Sequence, residues 1–541
     1  MRPNRLRAPS KDASILQVPP LEAAGGLVEA NRRSLDRWST DIQGRSADVL
    51  RRRAREEVVT LARLYHQESG LDPVPADATG ETIIATGHQP ELFHPGVWIK
   101  NFAAANLARR AGGIGLNLIV DNDVPKGAFL RVPARAEGGS GLIRKVVEFD
   151  SWPGEVPFED QPIVDRALFE SFGDRLGEPL RGLVPDPLIH SFWPLVQASG
   201  EFPAIGDNVG LRFARARRLI EARWGARNME VPLGRLCGTD AFLWFASHLL
   251  ANLERFRSTH NQALDAYRRV YGIRSKNHPV AALRLDDAWQ EAPFWAWRAE
   301  SPRRHPLWVR QRPGLMDLRI GGEDRPFLEL PLGPDREACC AVEALRDLPK
   351  RGIRLRTRAL TTTMFARLFL SDLFLHGIGG AKYDELGDEI IRGFFHLEPP
   401  RFLTLTLTLR AGLPSNGATE AKRLALLNEI RDLEFNPDRH PGATESADWN
   451  DLVLAKRQAI DGPVDTHRQR VDRFHAIRRV NEALQPSVSE ARQRLADDSS
   501  KLADDLRREA VARSREYASV VHSEERLRRT LTAVGSEVPA P

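Results

Sequence analysis

The sequence predicts an α/β protein: a parallel-sheet core with inserted segments, followed by an antiparallel α-helical hairpin with a coiled-coil-like seam. Three observations carry this. Residues 82–86 (TIIAT) and 116–123 (LNLIVDND) are short apolar runs separated by a loop and a helix-patterned stretch, and strand–loop–helix–strand is how a parallel α/β sheet opens. Residues 402–410 (FLTLTLTLR) alternate leucine with threonine, the period of a strand with one apolar face. From 418 to 532 strand signal gives way to charge-rich helical patterning. A chain of 541 residues exceeds one ordinary core. The expected division is an N-terminal helical segment (1–75), an α/β core (76–412) with connecting segments inserted at about 130–330, and the C-terminal helices (413–541).

In chain order, Leu50, Ala54, Val58, Leu61 and Tyr65 recur at spacings of four and three, so residues 27–67 read as helix with one apolar stripe. A Pro-, Asp- and Gly-bearing loop at 71–80 ends that region. The run TIIAT reads as a buried strand, the loop GHQPELFHPG follows it, and VWIKNFAAANLARR reads as a helix stopped by Gly112 and Gly113. Residues 130–230 are rich in Pro and Gly and read as an insertion; 238–272 read as helices. Trp295 and Trp297 lie two apart in EAPFWAWRA, hence on one face of a core or sheet-edge strand. Residues 358–376 are nearly all apolar and predict a buried helix running into a glycine turn, HGIGGAKYD. Asp372 inside that stretch needs a partner, with Arg358 or Arg367 the nearest in sequence. In the C-terminal region Leu484, Val488, Ala491, Leu495, Leu502 and Leu506 form the seam, and Asp461-Gly-Pro breaks it into at least two long helices. The seam suits packing within one chain or across a homodimer.

Composition excludes several classes. Seventy-eight basic residues nearly match 73 acidic ones, and the arginine runs at 51–55 and 507–508 sit among Glu and Asp, so a solvated helix face is expected and no nucleic-acid partner. Three cysteines (Cys237, Cys339, Cys340) lack CxxC spacing and make no disulfide framework, which points to a reducing cytoplasm. No window approaches 18 continuous apolar residues, so no membrane span is expected, and MRPNRLRAPS carries no apolar signal region.

Candidate sites fall at strand and helix ends, where parallel sheets bind ligands. Gly87, His88, Gln89 and His94 lie between a strand and a helix N-terminus, with Lys100 just inside that helix; free amides and a lysine suit a phosphate or carboxylate. Asp121, Asn122 and Asp123 end the next strand and could bind Mg²⁺, accept from an ammonium group, or act as a general base. In the third cluster, His376, Gly377, Gly379, Gly380, Lys382, Tyr383 and Asp384, glycine amides could face an anion while the lysine adds charge. No HxxxH, HExxH or CxxC pattern supports a metal centre, no GxSxG elbow supports a hydrolase, and neither a Walker A loop nor GxGxxG is present.

Thr86-Gly87-His88-Gln89 after the first strand, an acidic tract ending the next, residues 358–383 leading into Gly377-Ile378-Gly379-Gly380, and the helical C-terminus together resemble the BshC family, the cysteine ligases of bacillithiol biosynthesis. The resemblance implies a Rossmann-like core with inserts, a C-terminal coiled coil, frequent dimerisation, and a reaction that adds cysteine to glucosaminyl malate through an amide bond. The chain departs from the family at His88 (usually Gln), at Asp121-Asn122-Asp123 (a Glu-Asp-His-Asp-like tract) and at Ala381 (often Pro). Amide formation from a carboxylate needs activation, so ATP with Mg²⁺ is the expected cofactor. On this reading His88, Asp121, Asp123 and His376 are catalytic candidates. Gly87, Gln89, His94, Lys100, Asn122, Arg358, Gly377, Gly379, Gly380, Lys382, Tyr383 and Asp384 would bind the nucleotide or the small-molecule substrates, cysteine and the amino-sugar malate. The HQPELFHPG loop is also similar to a motif of WbqC-like proteins, which implies a different transferase. A non-catalytic coiled-coil interaction protein is the remaining alternative.

Overall fold

The computed structural model describes residues 6–74, 82–138, 141–440 and 447–536; most of the loop expected at 71–80 lies outside them. Two compact units emerge. The first comprises residues 1–132, 145–411 and 515–541, and the second comprises 133–144 and 412–514.

The first unit is built on a six-stranded sheet. Its strands are β1 (Ser14–Val18), β2 (Ile83–His88), β3 (Ile114–Ile119), β4 (Met229–Pro232), β5 (Leu373–His376) and β6 (Phe402–Thr408). They lie in the order β1-β6-β5-β2-β3-β4. Strands β2 to β6 are mutually parallel and β1 is antiparallel on β6. The first parallel strand, β2, is therefore central: β3 and β4 extend the sheet one way, and β5 and β6 the other. His88 is in register with Ile119, and His376 with Thr404, so the candidate residues share one carboxyl edge.

Burial on both faces explains the near-continuous apolar character of these strands. Ile83, Ala85, Leu116, Leu118, Met229 and Val231 enter one large core with the helices Ala47–Glu68 and Asp240–Ala251. The helix Pro95–Arg110 packs across β2, β3 and β6. Even the threonines of FLTLTLT are buried, and Thr406 reaches the Gly96 carbonyl at 3.1 Å. The N-terminal helical stretch is two helices, Ala24–Asp36 and Ala47–Glu68, preceded by β1.

Residues 358–376 are not one helix. A helix spans Ala359–Phe365, widens into a π turn at Ala366–Leu370, and stops before β5. Its orphan carbonyls are met by arginines of Ala47–Glu68: Arg51 Nη1 donates to Leu368 O at 2.9 Å, and Arg55 Nη1 to Leu370 O at 2.9 Å. Leu373–His376 then pairs between β2 and β6, where an all-apolar run is equally at home. Asp372 sits at the junction and accepts from the Ile83 N–H at 2.8 Å. Its charge partners are Arg51 at 2.7 Å, Arg55 at 3.2 Å and Arg32 at 3.6 Å, in place of the expected Arg358 or Arg367. The glycine turn consequently starts the helix Ile378–Ile390, with Gly377 as its N-cap.

A second sheet is antiparallel and includes Trp289–Arg298, Ser301–Arg312, Leu315–Ile320, Leu328–Leu330 and Ile353–Thr357. It places Trp295, Arg304 and Thr357 on the wall of a cavity at the carboxyl edge of the core. Within the second unit, Glu420–Phe435 packs on the long helix Ser489–Ala512, and Ala447–Asp461 packs on His467–Leu484. Leu484 and Val488 are buried, whereas Leu502 and Leu506 are half-buried. Among the described residues no helix is long and apolar enough to cross a membrane.

Candidate functional site

A cavity of about 330 Å³ opens beyond the carboxyl ends of β2 and β3, within the size range of small-molecule sites. Its apolar wall includes Val120, Phe256, Leu283, Pro293 and Leu360, and its polar groups are few. Asp123 is positioned by three donors: Gln89 Nε2 to Oδ2 at 2.7 Å, Arg304 Nη1 at 2.8 Å from Oδ1, and the Val124 N–H to Oδ1 at 2.9 Å. Asn122 turns away to donate to the Thr357 carbonyl at 2.8 Å, which ties the end of β3 to the second sheet.

Arg358 faces the same space. Its guanidinium lies 4.1 Å from the centre of the Trp295 ring, and Arg304 approaches that ring at 5.2 Å. Cation–π contact with a fixed indole sets the plane of the guanidinium. Arg358 Nη2 donates to Glu291 at 2.7 Å, and its buried Nε has no hydrogen-bond partner among the described residues. Glu291 also holds Arg284 at 2.7 Å. Thr361 and Thr362 complete the floor, their hydroxyls donating to the carbonyls of Pro293 and Arg358 at 2.9 and 3.1 Å.

The other candidates form three separate groups. Lys100 is buried, donates to the Gly87 carbonyl at 3.3 Å, and is pushed down to about 8 by burial. His94 caps its helix by accepting the Gly96 N–H at 3.1 Å; burial lowers it to about 4. His88 donates from Nδ1 to the Gln89 carbonyl at 3.1 Å and lies edge-on to Phe93. Burial and the Lys100 charge push it down to about 3. These bases stand beside Gln89 in sequence, but none of the three lines the cavity.

Asp121 also lies outside the cavity wall. It accepts from the Gly234 N–H at 2.7 Å and crowds Glu159, which Arg356 grips at 2.8 Å. Burial, then the neighbouring Glu159, raises Asp121 to about 8. Beside it, burial pushes the Cys237 thiol up to about 12, which leaves it inert.

His376 and Asp384 form the third group. Nε2 of His376 lies 2.7 Å from Asp384, which also holds Arg367 at 3.0 Å and accepts from Thr363 at 2.6 Å. Burial raises Asp384, but His376 and Arg367 outweigh it and hold the carboxyl at about 2. A Cβ on Gly380 would come within 2.7 Å of His376 Nδ1, so this glycine makes room for the imidazole. Gly377 and Gly379 differ: a Cβ on either would meet only open space, and no side chain caps the helix they begin. Lys382 and Tyr383 are half-exposed on that helix.

The cavity thus gathers Gln89, Asn122, Asp123 and Arg358, but not His88, His94, Lys100, Asp121 or His376. Sequence reading missed Arg304, Thr361, Thr362 and His260, and assigned Trp295 to ordinary strand packing. The available signal was the pair of tryptophans beside arginine-rich strands, since an arginine plane stacks on an indole face. Among the described residues no group of three or more His, Cys, Asp or Glu side chains could hold a metal ion. No protein-family model matches the chain, and no curated protein matches it.

Proposed function

We propose that this chain is a cysteine ligase-type enzyme, joining the carboxyl group of a small amino acid to the amine of an amino-sugar conjugate such as glucosaminyl malate, on the way to a low-molecular-weight thiol. One observation carries the reading. Gln89 and residues 358–362, which come from two of the stretches that resemble BshC, line one cavity, with Gln89 positioning the carboxylate of Asp123 and Arg358 beginning the opposite run of wall residues. A carboxylate and a guanidinium on one apolar-walled cavity suit a zwitterion: the ammonium group at Asp123, the carboxylate at Arg358. Trp295 would keep the guanidinium in plane while the carboxylate is presented for acyl transfer.

The core supports this through its type. In chain order the parallel strands run third, second, first, fourth, fifth across the sheet, and we infer a Rossmann-like fold with its crevice between β2 and β5. That crevice faces Gly377–Gly380. The uncapped start of Ile378–Ile390, with open space at Gly377 and Gly379, fits the phosphates of ATP, and Lys382 would add a charge. When bound, the nucleotide would supply the activation that amide formation requires. Mg²⁺ would arrive on the phosphates with its waters, since it needs no protein cage. We infer further that the second unit is a coiled coil that joins two chains. Leu424, Leu427, Leu454 and Phe474 are all exposed on its helices, apolar side chains that a second copy would cover.

The test is mass spectrometry of the purified chain with cysteine, glucosaminyl malate and ATP with Mg²⁺, beside an ATP-free reaction. An ATP-dependent product heavier than the acceptor by one cysteine residue is expected. Folded protein that yields no such product, while transferring another group to an amino sugar, would refute the ligase reading in favour of a transferase.

A further inference from the structure

His260 is a cavity residue with no part in the scheme so far. It lies on the helix Leu253–Tyr271, is 5% exposed, and lines the cavity with Arg358. Its neighbour fixes its tautomer. The Asn261 side chain is clamped to one backbone unit: the Leu283 N–H donates to Oδ1 at 2.9 Å, and Nδ2 donates to the Leu283 carbonyl at 2.9 Å. That pairing makes Oδ1 an acceptor. Oδ1 also faces His260 Nδ1 at 3.2 Å. Two acceptors cannot share a hydrogen bond, so Nδ1 carries the proton. Burial holds the ring at about 4, hence neutral at physiological pH. A neutral imidazole has one proton, so Nε2 is left as a lone pair.

No described residue donates to that lone pair. Close by, Arg358 commits Nη2 to Glu291, and no described residue accepts from its Nη1. A ligand that satisfies both must carry a hydrogen-bond donor next to an anion. A fully ionised dicarboxylate would set negative charge against the Nε2 lone pair. An α-amino acid carries an ammonium and a carboxylate on one carbon, and meets both needs.

We propose that His260 Nε2 is a built acceptor that selects the α-amine of an amino acid bound in this cavity, with the carboxylate at Arg358. Asp123 supplies the charge for the same ammonium, and Nε2 supplies direction. The proposal rests on reading the cavity as an amino-acid site, and adds a specificity determinant to it. Asn261 is a positioning residue that acts through His260.

Calorimetry with L-cysteine and its desamino analogue 3-mercaptopropionate tests this on wild type, His260→Phe and His260→Gln. Wild type should prefer cysteine, and His260→Phe should lose about tenfold in cysteine affinity while leaving 3-mercaptopropionate unchanged. His260→Gln, which can present an amide oxygen, should recover part of the loss. Nitrogen-15 spectra of histidine-labelled wild type, with His260 assigned by its absence from His260→Gln, should show the Nδ1–H tautomer. The Nε2–H tautomer, or equal cysteine binding by a folded His260→Phe, overturns the proposal; if that variant does not fold, the tautomer decides. Binding of serine or glycine with the same dependence on His260 upholds it and removes only cysteine as the substrate. Cysteine binding that depends on His260 but gives no ligation product also upholds it, and refutes the ligase reading alone. Absence of binding by any amino acid overturns both.

Discussion

Replacing Asp121 with asparagine should make the protein progressively more stable than wild type as pH rises. Asp121 is buried, its Oδ1 accepts from Gly234 N–H at 2.7 Å, and Glu159 shares its surroundings. Burial and that second carboxylate raise it from 3.8 to about 8. In the unfolded chain it ionises near its ordinary value, so between the two values folding takes up a proton. A group raised in this way contributes fully below the unfolded value, and its contribution is lost as pH climbs towards the folded one. The loss runs at up to about 1.4 kcal/mol per pH unit. The gap of roughly four units sets a ceiling of about 6 kcal/mol, a property of the Asp121–Glu159 pair. Asparagine keeps an acceptor for Gly234, offers Glu159 a donor, and does not titrate. Urea unfolding of both proteins in half-unit pH steps cancels every carboxylate outside the Asp121–Glu159 pair in the difference. That difference should grow by about 1 kcal/mol or more per unit between about pH 5 and pH 8. A flat difference would show that Asp121 is ionised in the folded protein and would refute the reasoning.

Four further outcomes are expected. Asp372→Ala leaves Arg51 and Arg55 without their buried counter-ion and the Ile83 N–H without its acceptor, and should cost about 3–5 kcal/mol in urea unfolding. Gly380→Ala places a methyl 2.7 Å from His376 Nδ1 and should destabilise by about 1–3 kcal/mol. Gly379→Ala meets open space, so it should fold as well as wild type or better while weakening ATP binding in a fluorescence titration. Light scattering should report a dimer for the wild-type chain, and Leu454→Glu with Phe474→Glu should yield folded monomers, since both side chains are exposed on the second unit.

Much of the central sheet was legible because its signals are local. TIIAT and LNLIV are short apolar runs bounded by turn residues, FLTLTLT carries the strand period, and all three are strands of one sheet. Residues 358–376 were misread because an apolar run has no period to read: a buried helix and a central parallel strand look alike. Pairing with Ile84 and Phe402 decides for a strand at Leu373–His376, and neither partner is near in sequence. The same limit hid the partners of Asp372, since Arg51 lies 321 residues away. Gln89, Asn122, Asp123 and Arg358, which line the cavity, could be singled out because strand ends and helix starts are visible in sequence. Arg304 and His260 were missed because they reach the cavity from a separate sheet and a separate helix, and nothing local to them marks that destination.

The separation of the acids narrows the chemistry further than their number suggests. Asp121 and Asp123 follow a strand that ends at the carboxyl edge of the sheet and Asp384 lies on a helix that begins there, yet each is committed differently. Asp121 is held neutral against Glu159, so it offers a ligand no charge. Asp384 is ionised, but Arg367, Thr363 and His376 already surround it. Asp123 alone among the three lies on the cavity wall, and its partners Gln89 and Arg304 line that wall as well. Substitutions at Asp121 and Asp384 should therefore act through folding, and substitution at Asp123 through ligand affinity. The same logic applies to the histidines. His88 and His94 are neutral and serve local backbone groups, His376 is spent on Asp384, and His260 keeps a free nitrogen towards the cavity. One uncommitted acceptor, one positioned carboxylate and one guanidinium with an unused N–H are the groups that the proposed small zwitterion would need. The bases beside this site in sequence maintain the sheet edge that holds it in place.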